Sequence, residues 1–109
     1  MKIFLDDMRE APEGWIRINT GESLIAILQS HKEEVEALSL DHDLGEGKKT
    51  GYDVLKWLEA QVFLYGFKPP KKIIIHSDNP VGRKNMEAAI ESIYKYAENS
   101  RDLKNKSTE

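Results

Sequence analysis

Cysteine is absent from this 109-residue chain. Its absence excludes disulfides, thiolate zinc sites and a cysteine nucleophile. No apolar run approaches the roughly 20 residues that a membrane span requires. Positive charge is also scarce: 16 basic against 19 acidic residues leave a net charge of −3. No extended nucleic-acid surface is therefore expected, and any contact with a polynucleotide has to be local. Lys48 and Lys49 sit in a glycine-rich stretch that lacks the GxxxxGK[ST] spacing of a phosphate-binding P-loop. The few aromatics, Trp15, Trp57 and Phe63 among them, are expected to pack rather than to serve as stacking platforms. The chain enters a strand pattern almost at once, with no room for a signal peptide. The expected location is cytoplasmic, with no membrane partner.

What is present is a repeated pairing of apolar runs with polar, reactive ends. Lys2-Ile3-Phe4-Leu5 stops at Asp6-Asp7, Leu38-Ser39-Leu40 at Asp41-His42-Asp43, and Ile73-Ile74-Ile75 at His76-Ser77-Asp78-Asn79. Short β-rich runs that alternate with helical patterns read as parallel strands. Parallel strands align their C-terminal ends on one edge of the sheet, where open α/β sheets bind ligands. Four carboxylates, two imidazoles and a hydroxyl are thus expected at one rim.

The remaining pattern fills in a single domain over residues 1–98, followed by a polar tail, 99–109, expected to fray. A strand over Trp15–Asn19 precedes a helix capped by Thr20, with Leu24, Ile25, Ile27 and Leu28 as its apolar face. Val35–Leu40 leads into the third strand. A second helix starts near Gly51, carries Tyr52, Leu55, Leu58 and Val62, and ends at Gly66 and Pro69-Pro70. After a fourth strand, Lys72–Ile75, Asn79-Pro80 opens a third helix, since Asn caps well and Pro suits the first turn. Its stripe is Met86, Ala89, Ile90, Ile93 and Ala97. Only about nine residues join the first two strands, fewer than a parallel crossover usually needs. Strand 2 either returns through an extended loop, the preferred reading, or pairs antiparallel.

The rim residues suggest chemistry. Two like charges about 4 Å apart repel by roughly 4 kcal/mol at an effective dielectric of 20. A cluster of Asp6, Asp7, Asp41 and Asp43 therefore needs a cation, a basic partner or a protonated member. Oxygen ligands without thiols favour Mg²⁺, Mn²⁺ or Ca²⁺, and adding His42 would admit Mn²⁺ or a catalytic Zn²⁺. Asp also follows strands simply because it favours turns, but acids that end two separate strands suggest more than turn chemistry. His42 and His76 can divide general-base and general-acid work across a phosphodiester, whereas His31 is expected at the surface. Ser77 and Asn79 could hold phosphate oxygens. The turn Asn79-Pro80-Val81-Gly82-Arg83-Lys84 offers a helix N-terminus as an anion seat, with Gly82 allowing close approach and Arg83 a forked contact. Arg9 is a second candidate for phosphate or for offsetting the acids.

Asp6-Asp7, Asp41, Thr50-Gly51 and Ser77 occur in the order found in the receiver domains of two-component signalling, which hold Mg²⁺ with such acids and phosphorylate the strand-3 Asp. The first receiver helix and the fifth strand with its lysine are missing, and His42 and His76 are not receiver hallmarks. Phe4-Leu5-Asp6-Asp7-Met8-Arg9, Leu38 to Gly45, Thr50 to Leu55 and His76 to Gly82 more closely resemble a divergent branch, the cyclic-phosphate processing receiver-like domains. That resemblance implies an α/β, flavodoxin-like three-layer sandwich around a mainly parallel four-stranded sheet. It also implies a function: a metal-assisted phosphoesterase acting on a cyclic phosphate, such as a 2′,3′-cyclic RNA end or a cyclic nucleotide. In that scheme Asp6, Asp7, Asp41 and Asp43 are the metal ligands, for Mg²⁺ or Mn²⁺. His42, His76 and Asp41 are catalytic, and Ser77, Asn79, Gly82, Arg83 and Arg9 bind phosphate. The rival expectations are a signalling module that accepts phosphate on Asp41 and a ligand-binding adaptor without catalysis.

Overall fold

Four strands of three or four residues pair side by side in a computed structural model that describes residues 1–31 and 34–107. The elements are β1 (Lys2–Leu5), β2 (Ile16–Ile18), α1 (Gly21–Ser30), β3 (Ala37–Leu40), α2 (Gly51–Tyr65), β4 (Lys72–Ile75) and α3 (Pro80–Ser107). The sheet order is β2-β1-β3-β4 and every pair is parallel. β2 therefore returns through the extended connection, and residues 6–15 bridge it without a helix. As an edge strand it is shorter than the Trp15–Asn19 expectation, and Ile16 is half exposed.

Alternation along the strands sorts the side chains onto two faces. Ile3, Leu5, Leu38, Leu40 and Ile73 point one way and form a single core with Leu24 and Leu28 of α1, Val54, Leu55, Leu58 and Val62 of α2, and Met86, Ala89 and Ile93 of α3. Right-handed crossovers from β2 to β3 and from β3 to β4 put α1 and α2 on one face, and α3 joins them there through Met86, Ala89 and Ile93. The other face carries Phe4, Arg17, Ser39 and Ile74. There the described chain supplies a loop in place of the helix a full receiver would have. The fold is receiver-like α/β in this reduced form.

Local signals explain the helix ends. The Thr20 side chain accepts from the Ser23 amide, and Thr50 with Asp53 forms a reciprocal capping box at the start of α2. Gly66, with φ +66°, closes α2 in the left-handed conformation. α3 runs on through Asn99 to Ser107, where the sequence suggested a frayed tail. No Pro or Gly interrupts residues 83–107, and Arg, Lys, Leu and Glu are adequate helix formers. Among the described residues no helix is long and apolar enough to cross a membrane.

Candidate functional site

The parallel register places Leu5, Leu40 and Ile75 on one rung of β1, β3 and β4. The ladder continues one residue further. The amides of Asp6, Asp41 and His76 donate to the carbonyls of Ile18, Leu5 and Leu40, each at 3.0 Å. Asp6, Asp41 and His76 therefore occupy the next rung of three adjacent strands, all on the face turned away from the helices. Their potential ligand atoms lie within 4.8 Å of one another. Residues separated by up to 70 positions meet because each is the first residue beyond its strand.

Asp6 is 1% exposed, and both of its oxygens are engaged. Oδ1 accepts the amides of Met8 and Arg9 at 2.8 Å each, which turns the chain into the β1–β2 loop. Oδ2 faces His76 Nε2 at 3.0 Å. Burial pushes the Asp6 carboxyl up, but the Arg9 and Met8 amides and the His76 ring outweigh it and bring it below its ordinary range. Asp41 shifts the other way. Its burial, with a further contribution from the charge of Asp6, raises it against the stabilising amide of His42.

His76 has no idle nitrogen. Nδ1 lies 2.7 Å from Ser39 Oγ, Nε2 faces Asp6, and the ring stacks on Phe4 with centroids 4.1 Å apart and planes within 4°. Ser39 and Phe4 were not singled out in the sequence. A lone serine inside the apolar run Leu38-Ser39-Leu40 was the available signal, since it lies two residues before Asp41 and so on the same face as the site. A hydroxyl can donate to or accept from Nδ1, so Ser39 suits either imidazole tautomer.

A second group surrounds His42. Its Nδ1 lies 2.9 Å from Asp43 Oδ1, while Nε2 has no partner among the described residues. The His42 ring, and after it the Asn79 amide, hold the Asp43 carboxyl below its ordinary range. Asn79 Nδ2 donates to Asp43 Oδ2 at 3.3 Å, and Asn79 Oδ1 accepts the Gly82 amide at 2.9 Å as the cap of α3. Gly51, the first residue of α2, fixes this loop from behind by donating to the His42 carbonyl at 2.9 Å.

The other expected residues fall as follows. Asp7 and Asp43 stand outside the three-residue cluster; Asp7 turns toward the loop at Gly45, and Asp43 is engaged by His42 and Asn79. The anion seat at α3 is mostly filled. Pro80 has no N–H, the Gly82 amide serves the cap, and the Arg83 amide bonds the Asn79 carbonyl. The Asn79 and Gly82 groups expected to hold phosphate are thus consumed by the helix start itself. Arg83 is drawn along the helix, with Nη1 on the Ile75 carbonyl at 3.1 Å and Nε 3.2 Å from Glu87. Arg9 reaches from the end of β1 to the end of β4. It donates to the His76 carbonyl at 2.7 Å, pairs with Asp78 and lies 3.8 Å from Asp6. Ser77 is buried, and its Oγ accepts the Asn79 amide at 3.1 Å while the hydroxyl proton remains free to donate.

The donor set suits a small hard cation. Two ligands at adjacent corners of an octahedron with bonds of about 2.1 Å stand about 3 Å apart. The 3.0 Å between His76 Nε2 and Asp6 Oδ2 is a hydrogen-bond distance and is compatible with that spacing once the proton is displaced. Asp41, on the same rung, offers the third ligand.

A family model described as the cyclic-phosphate processing receiver domain matches residues 1–92. No curated protein and no solved structure matches the chain. The matched span includes every strand and both groups at the rim, and the chain belongs to the family of cyclic-phosphate processing receiver domains.

Proposed function

We propose that the protein is a metal-assisted phosphoesterase that opens a cyclic phosphodiester, a 2′,3′-cyclic phosphate end or a cyclic nucleotide, to the monoester. The observation that carries this reading is the rung shared by Asp6, Asp41 and His76, with an unbonded imidazole nitrogen on the neighbouring residue, His42. A divalent cation such as Mg²⁺ or Mn²⁺ held by those three residues would supply Lewis-acid neutralisation of the phosphoryl charge. The family match supports a role in cyclic-phosphate processing.

The two histidines take different parts in this scheme. His76 holds Asp6 through Nε2; with a cation bound, the proton would sit on Nδ1 against Ser39 and Nε2 would exchange its Asp6 hydrogen bond for the metal. His42 transfers the proton through Nε2, and Asp43 on Nδ1 keeps the ring in the tautomer that leaves Nε2 basic. The overall step adds water across one P–O ester bond: oxygen joins phosphorus and the released alkoxide takes up a proton. The Ser77 hydroxyl and the Arg9 guanidinium are the groups at the rim best suited to hold the non-bridging oxygens.

The test is turnover of 2′,3′- and 3′,5′-cyclic nucleotides by pure protein with Mg²⁺ or Mn²⁺. Ring opening is expected, and His42→Ala should lower it by roughly 10²–10⁴-fold while leaving the circular dichroism spectrum intact. No opening of any ring would overturn the reading. A second reading, phosphate acceptance on Asp41, is favoured by the position of Asp41 at the end of β3 beside Asp6. A stable phosphoryl adduct by intact mass after treatment with a small phosphodonor, lost in Asp41→Asn, would select it.

A further inference from the structure

Asn79 and Gly82 have their polar side-chain or backbone groups turned inward; Gly82 lies against the His42 ring, and Asn79 reaches Asp43, the partner of His42. Asn79 uses its amide twice. Its oxygen caps α3 through the Gly82 N–H, and its nitrogen donates to the Asp43 oxygen that His42 does not use. Gly82 is buried, and its Cα faces the His42 ring. A Cβ added there would stand 2.6 Å from Cγ and 2.8 Å from Nε2, well inside contact distance. Helix start, carboxylate and imidazole thus form one connected unit, with a hydrogen-bonded chain on one side of the ring and a bare α-carbon on the other.

We propose that Asn79 and Gly82 are positioning residues for His42: Asn79 orients the ring through Asp43, and Gly82 provides the flat seat that lets it lie against the first turn of α3. The catalytic consequence rests on the reading of His42 as the proton-transfer group; the seating itself does not. Gly82 is required here for its missing side chain, not for an amide that touches phosphate.

Two variants separate this role from helix capping. Asn79→Ser retains a strong N-cap but is too short to reach Asp43. Gly82→Ala keeps the helix and, as a better helix former than Gly, favours it locally while filling the seat. Misplacing a catalytic group by about 1 Å can cost on the order of 10²-fold. Each variant should therefore lower kcat by about 10- to 100-fold with KM little changed. In a His42→Ala background neither should add more than about a 2-fold loss, because residues acting through one group are not additive. Equal losses with and without His42 would overturn the proposal.

An arm independent of activity follows the imidazole C–H resonances by NMR. Gly82→Ala should move those of His42 more than those of His31, and Asn79→Ser should do the same. Unmoved His42 resonances in both folded variants would refute the seating even if the enzyme is active. Shifted resonances in a protein without turnover would uphold the seating and reject the phosphoesterase reading alone.

Discussion

Replacing Asp41 with Asn should make the protein more stable. Asp6 and Asp41 share a rung, with their nearest oxygens within 4.8 Å, and Asp6 is held ionised by two backbone amides and His76. Unit charges at that separation repel by about 3.5 kcal/mol at an effective dielectric of 20. Asp41 is only half-buried, so solvent screening and the opposing His76 and Arg9 groups leave about 1–2 kcal/mol. Asn is isosteric and retains an oxygen for the His42 amide, which bonds Oδ1 at 2.8 Å. In a domain of this size 1 kcal/mol moves Tm by about 4–8 °C, so the variant should melt about 4–16 °C higher in chelator. The sign also predicts the pH dependence. The Asp41 carboxyl is raised in the fold, so its penalty begins above the ordinary carboxylate value and is complete only above the raised one. The advantage of Asp41→Asn should therefore be full near neutral pH and vanish below about pH 4. Scanning calorimetry of both proteins across pH decides the matter. An unchanged or lower Tm for Asp41→Asn at neutral pH would refute the charge-cluster argument.

Other outcomes follow from the same geometry. Asp6 is lowered in the fold, so its stabilisation is present above the unfolded value of about 3.9 and lost as pH falls through the folded one; urea midpoints should drop on acidification in the wild type and less in Asp6→Asn. Ser39→Ala leaves His76 Nδ1 without its partner and should cost about 1–3 kcal/mol in urea unfolding. Gly51→Ala would overlap the Asp41 carbonyl oxygen and stand 3.0 Å from Met86 Cε. It should destabilise by about 1–3 kcal/mol or more despite the higher helix propensity of Ala.

The strands and helices were legible because β1, β3 and β4 each end where apolar residues give way to Asp or His, and each helix carries a cap. Thr20, Thr50 and Asn79 all cap as their residue types suggest. The meeting of Asp6 with His76 was legible as a shared edge. The shared rung was not, since register depends on pairings that no local pattern encodes. The same lack of register hid Ser39 and Phe4, which matter only because His76 leans across them. Asn79-Pro80-Val81-Gly82 read as an anion seat because free helix amides are the rule at an N-terminus. Here Asn79 uses one amide and proline removes another. Asp7 and Asp43 looked equivalent to Asp6 and Asp41 in sequence. Asp7 stands one residue and Asp43 two residues past the shared rung, where the chain has left the strands and the loops turn them toward Gly45 and toward His42 and Asn79.

Manganese located by anomalous diffraction in soaked crystals tests the central claim most directly. A peak bonded to Asp6 Oδ2, an Asp41 oxygen and His76 Nε2 is the predicted result. Manganese bound elsewhere, with that rung left bare at saturating concentration, would contradict it.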